Sequence, residues 1–150
     1  MTRRGWTADD IPDLTDRVAI VTGCTSGIGL ETASALARRQ AHVIFAVRNE
    51  TKAQKVLGEL REAHPEVSVE SRHLDLSRLG SISDFAAWFL DTDRPLDLLI
   101  NNAGIMMPPR QLTKDGFELE FTADVSDVGG LPLVRERTVP RYHRERPPQR

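Results

Sequence analysis

The sequence predicts an α/β fold built on a doubly wound parallel sheet, and three observations predict it. Apolar runs and stretches of helical spacing follow one another as strand, helix, strand, helix, strand, helix, strand. That alternation lays successive strands side by side in one sheet joined by crossovers. The second run, His42 to Val47, is almost wholly apolar, as a strand covered on both faces should be. The third observation is a glycine-rich turn, Thr22-Gly23-Cys24-Thr25-Ser26-Gly27-Ile28-Gly29, placed between the first strand and the first helix.

Taken in order, the polar residues 1–15 form an arm, extended and loosely packed, with Trp6, Ile11, Pro12 and Leu14 as candidate anchors. The first strand is predicted at 17–22. A helix over 27–39 follows, with Ile28, Thr32, Ala33, Leu36 and Ala37 on its buried face. The strand at 42–47 ends in Arg48-Asn49. Asn49 caps a helix over 50–63 whose stripe is Ala53, Val56, Leu57 and Leu60. A strand over 67–74 ends in Asp75-Leu76-Ser77. Ser81, with Asp84 three residues on, predicts a capping box for a helix to residue 90, burying Ile82, Phe85, Ala86 and Phe89. The run 96–100 is the fourth strand, and Asn101-Asn102-Ala103-Gly104 follows it.

The glycine turn has the context that makes such a turn an anion site. A strand leads in, and a helix leads out with unpaired N–H groups and the positive end of its dipole at the turn. Glycine tolerates positive φ there and lets a pyrophosphate approach the backbone. Cys24 lies inside this turn, and as the chain's single cysteine it is read as a small filler in a reducing, cytoplasmic setting.

Composition narrows the classes of function. Of the 150 residues, 39% are hydrophobic and 28% charged, with a formal net charge of −2; this is ordinary for a globular domain and argues against a global nucleic-acid or membrane-surface role. No run approaches the roughly 18 apolar residues of a membrane span. The charge is uneven: residues 131–150 carry six arginines against two glutamates, and four of the nine prolines.

Thr22 to Gly29, Arg48-Asn49, Asp75-Leu76 and Asn101 to Gly104 agree in order and spacing, and together they resemble the short-chain dehydrogenase/reductase family, in the flavour of its retinol-dehydrogenase-like and WW-domain-oxidoreductase-like members. The resemblance covers roughly residues 12–121. It implies a Rossmann-type sheet of strand order 3-2-1-4, NADP or NAD as cofactor, and hydride transfer to or from a small carbonyl or alcohol substrate. It also implies cofactor contacts at Gly23, Thr25, Ser26, Gly27, Ile28, Gly29, Arg48, Asn49, Asp75, Leu76, Asn102, Ala103 and Gly104. Asp75 suits the adenine amino group. Asn102, Ala103 and Gly104 suit close approach to the adenine ribose, while Asn101 can hold neighbouring strands together. Arg48 stands where a carboxylate would select NAD; a guanidinium suits the 2′-phosphate of NADP by charge and fork geometry, although an arginine on the adenine face would serve either cofactor.

The family's chemistry uses an asparagine helix after the fourth strand, then a serine, then a Tyr-x-x-x-Lys pair. Glu118 to Phe121 resembles the approach to that asparagine, but the chain continues Thr122-Ala123-Asp124-Val125-Ser126 instead. Tyr142 and Arg146 have the pair's spacing, yet lie between Pro140 and Pro147-Pro148, where no orienting helix is expected. No catalytic residue and no metal site are predicted. The expected organisation is an arm at 1–15, a cofactor-binding half-domain at 16–121, and a divergent, disordered basic tail at 122–150, as in a truncated or frame-shifted dehydrogenase inactive on its own. The alternatives are a non-catalytic dinucleotide-binding module, or a regulatory fragment that associates with a full-length enzyme. Either could self-associate through an exposed fourth strand, with apolar surface showing at Val18, Ile20, Leu98 and Ile100.

Overall fold

The structure, a computed structural model, describes residues 5–104, 109–117 and 119. Expectations for 122–150, for Glu118 and Phe121, and for Tyr142 and Arg146 lie outside the described residues. Four strands, β1 (Val18–Thr22), β2 (His42–Val47), β3 (Ser68–His73) and β4 (Leu98–Ile100), alternate with three helices, α1 (Gly27–Arg38), α2 (Glu50–Ala63) and α3 (Leu79–Asp91). The pairings among these four strands are parallel and their order is β3-β2-β1-β4, as the sequence predicts.

Alternate strand residues feed two cores. Ala19, Val21, Val43 and Phe45 pack with Ala33, Leu36 and Leu57 of α1 and α2 on one face. On the other face Val18, Ile20, Ile44 and Ala46 pack with Ile82, Phe85 and Phe89 of α3. This corrects the expectation of exposed apolar surface on β1: Val18 and Ile20 are buried, while β4, at one side of the sheet, is half-buried. Ile28 is also corrected. It is 82% exposed, and the inward stripe of α1 runs Gly29, Ala33, Leu36, Ala37.

The arm contains a 3-10 helix at Ala8–Asp10 and is not uniformly extended. Its anchor is Leu14, which packs on the α1–α2 core and donates its N–H to Arg39 O; Trp6 is exposed. Asn49 caps α2 as predicted, its Oδ1 accepting from Lys52 N at 2.9 Å. The capping box at Ser81 does not form. α3 starts two residues earlier, and the Leu79 N–H donates to Asp115 Oδ2 at 3.0 Å, so the cap comes from a segment 36 residues further along. Ser81 Oγ accepts from Asp75 N at 2.9 Å instead, binding the end of β3 to the first turn of α3.

At the amino-terminal end of the sheet, Asp97 ties β1 to the approach of β4, accepting from Arg17 and from Val18 N. On the α3 face of the same end, Glu70 Oε1 lies 2.6 Å from Arg94 Nη1 and 2.9 Å from His42 Nε2. Trp88 of α3 stacks beneath Arg72 and Arg94.

Candidate functional site

The four predicted motifs meet at the carboxyl ends of the strands, around one cavity of about 550 Å³. A volume of this order holds a nucleoside with its phosphates. Gly23 and Thr25 line it from the turn after β1, and Arg48 and Asn49 from the end of β2. Asp75 and Leu76 line it after β3; Asn102, Ala103 and Gly104 line it after β4. Ser26, Gly27, Ile28 and Gly29 are not in the cavity wall. Six lining residues were not among the contacts expected from sequence: Thr22, Ala46, Val47, Lys52, Leu74 and Ser77. Lys52 belongs to no motif, and its place is visible only once the start of α2 is set beside the end of β2.

The turn after β1 is clasped from β4. Thr22 Oγ1 accepts from Asn102 N at 3.0 Å and from Ala103 N at 2.9 Å, and the Asn102 carboxamide donates to Thr22 O at 3.0 Å and Gly23 O at 3.3 Å. The tie between strands expected of Asn101 is therefore made by Asn102, while Asn101 is exposed. Two glycines are needed for this fit. Gly23 has φ +63°, and a Cβ there would lie 2.9 Å from Ala103 Cα. A Cβ on Gly29 would land on the Asn102 carboxamide. Ser26 is the residue before α1, but its side chain makes no capping bond, and no side chain among the described residues caps the first-turn N–H groups of α1.

Asp75 makes an Asx turn, its Oδ1 accepting from Ser77 N at 3.0 Å and Ser77 Oγ at 2.6 Å. Its Oδ2 has no partner among the described residues, so one lone-pair set stays available to a ligand. Cys24 is buried, and burial pushes its thiol up to about 12, with its Sγ donating to Val21 O. It is protonated at neutral pH and acts as packing, in line with the filler reading.

A short chain dehydrogenase family model matches residues 17–128. The chain belongs to the short-chain dehydrogenase family. The match runs past residue 121, where the resemblance read from the motifs ends. This short-chain dehydrogenase chain is 42% identical to the human WW domain-containing oxidoreductase, over 82% of the chain and 29% of that protein. A crystal structure of a Mycobacterium paratuberculosis protein superposes with a TM-score of 0.79 at 39% identity, covering 90% of this chain and 47% of the other. A short-chain dehydrogenase from Sphingobium yanoikuyae, solved in complex with NADPH, gives a TM-score of 0.67 at 26% identity, over 79% of this chain and 46% of that one. The chain spans roughly a third of the length of the curated relatives it matches.

Proposed function

We propose that this chain is the dinucleotide-binding part of an oxidoreductase that moves hydride between NADP(H) and a carbonyl or alcohol substrate. One observation carries the reading: the glycine turn, Arg48, Asp75 and Ala103, separate in sequence, all line one cavity at the carboxyl edge of a parallel sheet, where ligands bind in such folds. In that cavity Gly23 and Thr25, of the turn that leads into α1, approach the pyrophosphate, Oδ2 of Asp75 takes the adenine amino group, and Ala103 and Gly104 admit the ribose. NADP(H) is favoured over NAD(H) because a cation, Arg48, stands at the end of β2. The NADPH held by the Sphingobium relative supports the same preference.

The proposed unit is residues 16–121, with 1–15 as an arm and 122–150 as a divergent tail. The sequence shows neither the family's catalytic asparagine and serine nor its Tyr-x-x-x-Lys pair. On its own, therefore, the chain binds the cofactor without turning it over. Self-association through the outer side of β4 belongs to the same proposal, because β4 is half-buried where β1 is fully buried. The lone buried cysteine suits a reducing compartment such as the cytoplasm.

Calorimetric titration of the full chain with NADPH and NADH tests the site. We expect NADPH to bind at least about tenfold more tightly, a difference of 1.4 kcal/mol, and Arg48→Asp to remove or reverse that preference. An unchanged affinity ratio in Arg48→Asp would contradict the cofactor assignment. Steady turnover of NADPH with any carbonyl in a panel would contradict the non-catalytic reading.

A further inference from the structure

The Asp75 side of the cavity is held by α3. Asp75 donates its N–H to Ser81 Oγ at 2.9 Å, and Asp75 O accepts from Arg78 N at 3.1 Å. The backbone that presents Oδ2 of Asp75 is thus fixed from the first turn of that helix. Yet the local sequence is poor at starting a helix there. Arg78, the residue before α3, is not of a type that caps, and its side chain makes no capping bond. The first turn of α3 holds no carboxylate to meet the positive end of the dipole. Both needs are met from after β4, by Asp115, whose Oδ2 accepts from Leu79 N at 3.0 Å. Asp115 is itself set by a closed turn, in which Thr113 N donates to Phe117 O at 2.7 Å and Phe117 N donates to Thr113 Oγ1 at 3.2 Å. Asp115 does not line the cavity, so it can act on a ligand there only through α3. A local rule broken and repaired from a distance is the pattern expected where position matters for function.

We propose that Asp115 is a positioning residue for adenine recognition, which fixes the first turn of α3 and, through Ser81, the aim of Asp75 Oδ2; this rests on the reading of Asp75 as the partner of the adenine amino group. Ser81 is the third residue of α3 and so belongs to the turn that Asp115 caps. Without the cap the first turn frays, because its N–H groups have no partner within the helix. Ser81 Oγ then moves with it and releases Asp75 N. Asp75 keeps its Asx turn with Ser77 but loses its fixed bearing on the cavity, and a hydrogen bond weakens steeply as its angle closes. The loss falls only on ligands that engage Oδ2. Residues 113–117 form none of the cavity wall, and they still set its preference for adenine.

The test is titration of the full-length chain and its Asp115→Ala, Asp115→Asn and Ser81→Ala variants with two ligands. One is NADPH; the other is deamino-NADPH, in which hypoxanthine replaces adenine and a carbonyl stands where the amino group was. Wild type is expected to prefer NADPH about tenfold. Asp115→Ala is expected to cut that preference to about threefold or less, with affinity for deamino-NADPH staying within about twofold. Asp115→Asn, whose carbonyl oxygen still accepts from Leu79 N, should keep most of the preference, and Ser81→Ala should lose it as Asp115→Ala does. A cap that served stability alone would lower the melting temperature, by about 5 °C, and would leave the ratio of the two affinities unchanged. If wild type prefers NADPH and Asp115→Ala keeps the full preference, or weakens both ligands equally, the role of Asp115 is overturned and the cavity reading stands. If Asp115→Ala does not fold, Ser81→Ala decides, and an unchanged preference there overturns the relay. If wild type does not distinguish the two ligands, the reading of Asp75 fails and this inference fails with it.

Discussion

Thr22 holds the site together more directly than any charged residue. It is fully buried, and its hydroxyl oxygen receives two backbone N–H groups from the β4 side. Thr22→Val keeps the shape and removes the acceptor, leaving both donors unpaired, at about 1–3 kcal/mol for each unsatisfied group. The expected outcome is a lower urea midpoint together with weakened nucleotide affinity, with Thr22→Ser retaining most of both; denaturation and titration of the same samples check it. At this scale the sequence was partly legible. The motif residues announced themselves, and nine of the thirteen line the cavity. Ile28 misled because helical spacing was extended into the first turn, where close passage to Asn102 requires Gly29 on the inner side. Lys52 gave no signal, since nothing local distinguishes a lysine that lines a cavity from one on a solvated helix face.

Helices and strands were set by patterns that local sequence carries, and their ends by partners that it does not. The Asn49 cap was readable because donor and acceptor lie three residues apart. The start of α3 was not, because the acceptor for Leu79 is Asp115. The cluster at the amino-terminal end of β2 and β3 is of the same long-range kind. Burial works against the charge on Glu70, but hydrogen bonds from His42 and Arg94 outweigh it and hold the carboxyl below its ordinary value of 4.5. A carboxyl lowered on folding contributes stability that is complete above its unfolded value and fades as pH falls through its folded value. Glu70→Gln is therefore expected to be less stable than wild type near neutrality and to lose less stability on acidification below about pH 4.5, the gap between the two narrowing there. Thermal melts at steps of pH measure this. A gap that stayed constant with pH would show that Glu70 acts by packing alone.

Across the molecule, burial is graded from the middle of the sheet to its edge. Every residue of β1 is buried, five of the six in β2 are, and all three in β4 are half-buried. Local opening costs least where few apolar contacts must be broken. Amide hydrogen exchange should then be slowest at Ala19 to Val21 and Val43 to Phe45, and faster at Leu98 to Ile100. Uniform protection across all four strands would contradict this ordering. The overall architecture was the most legible level, because continuous apolar runs between helical stretches admit few arrangements other than a parallel sheet.

The clasp between Thr22 and Asn102 also sets an order of assembly. Its partners are 80 residues apart in the chain, so its closure comes after a long loop has been gathered in, and contacts of that separation form late and slowly. During synthesis the glycine turn would be made early, yet its final shape must wait until residue 103 has left the ribosome and β4 has docked. A dinucleotide that recognises only the finished turn stabilises closed chains by mass action and does nothing for open ones. The proposed nucleotide affinity is thus also a readout of whether β4 is in place.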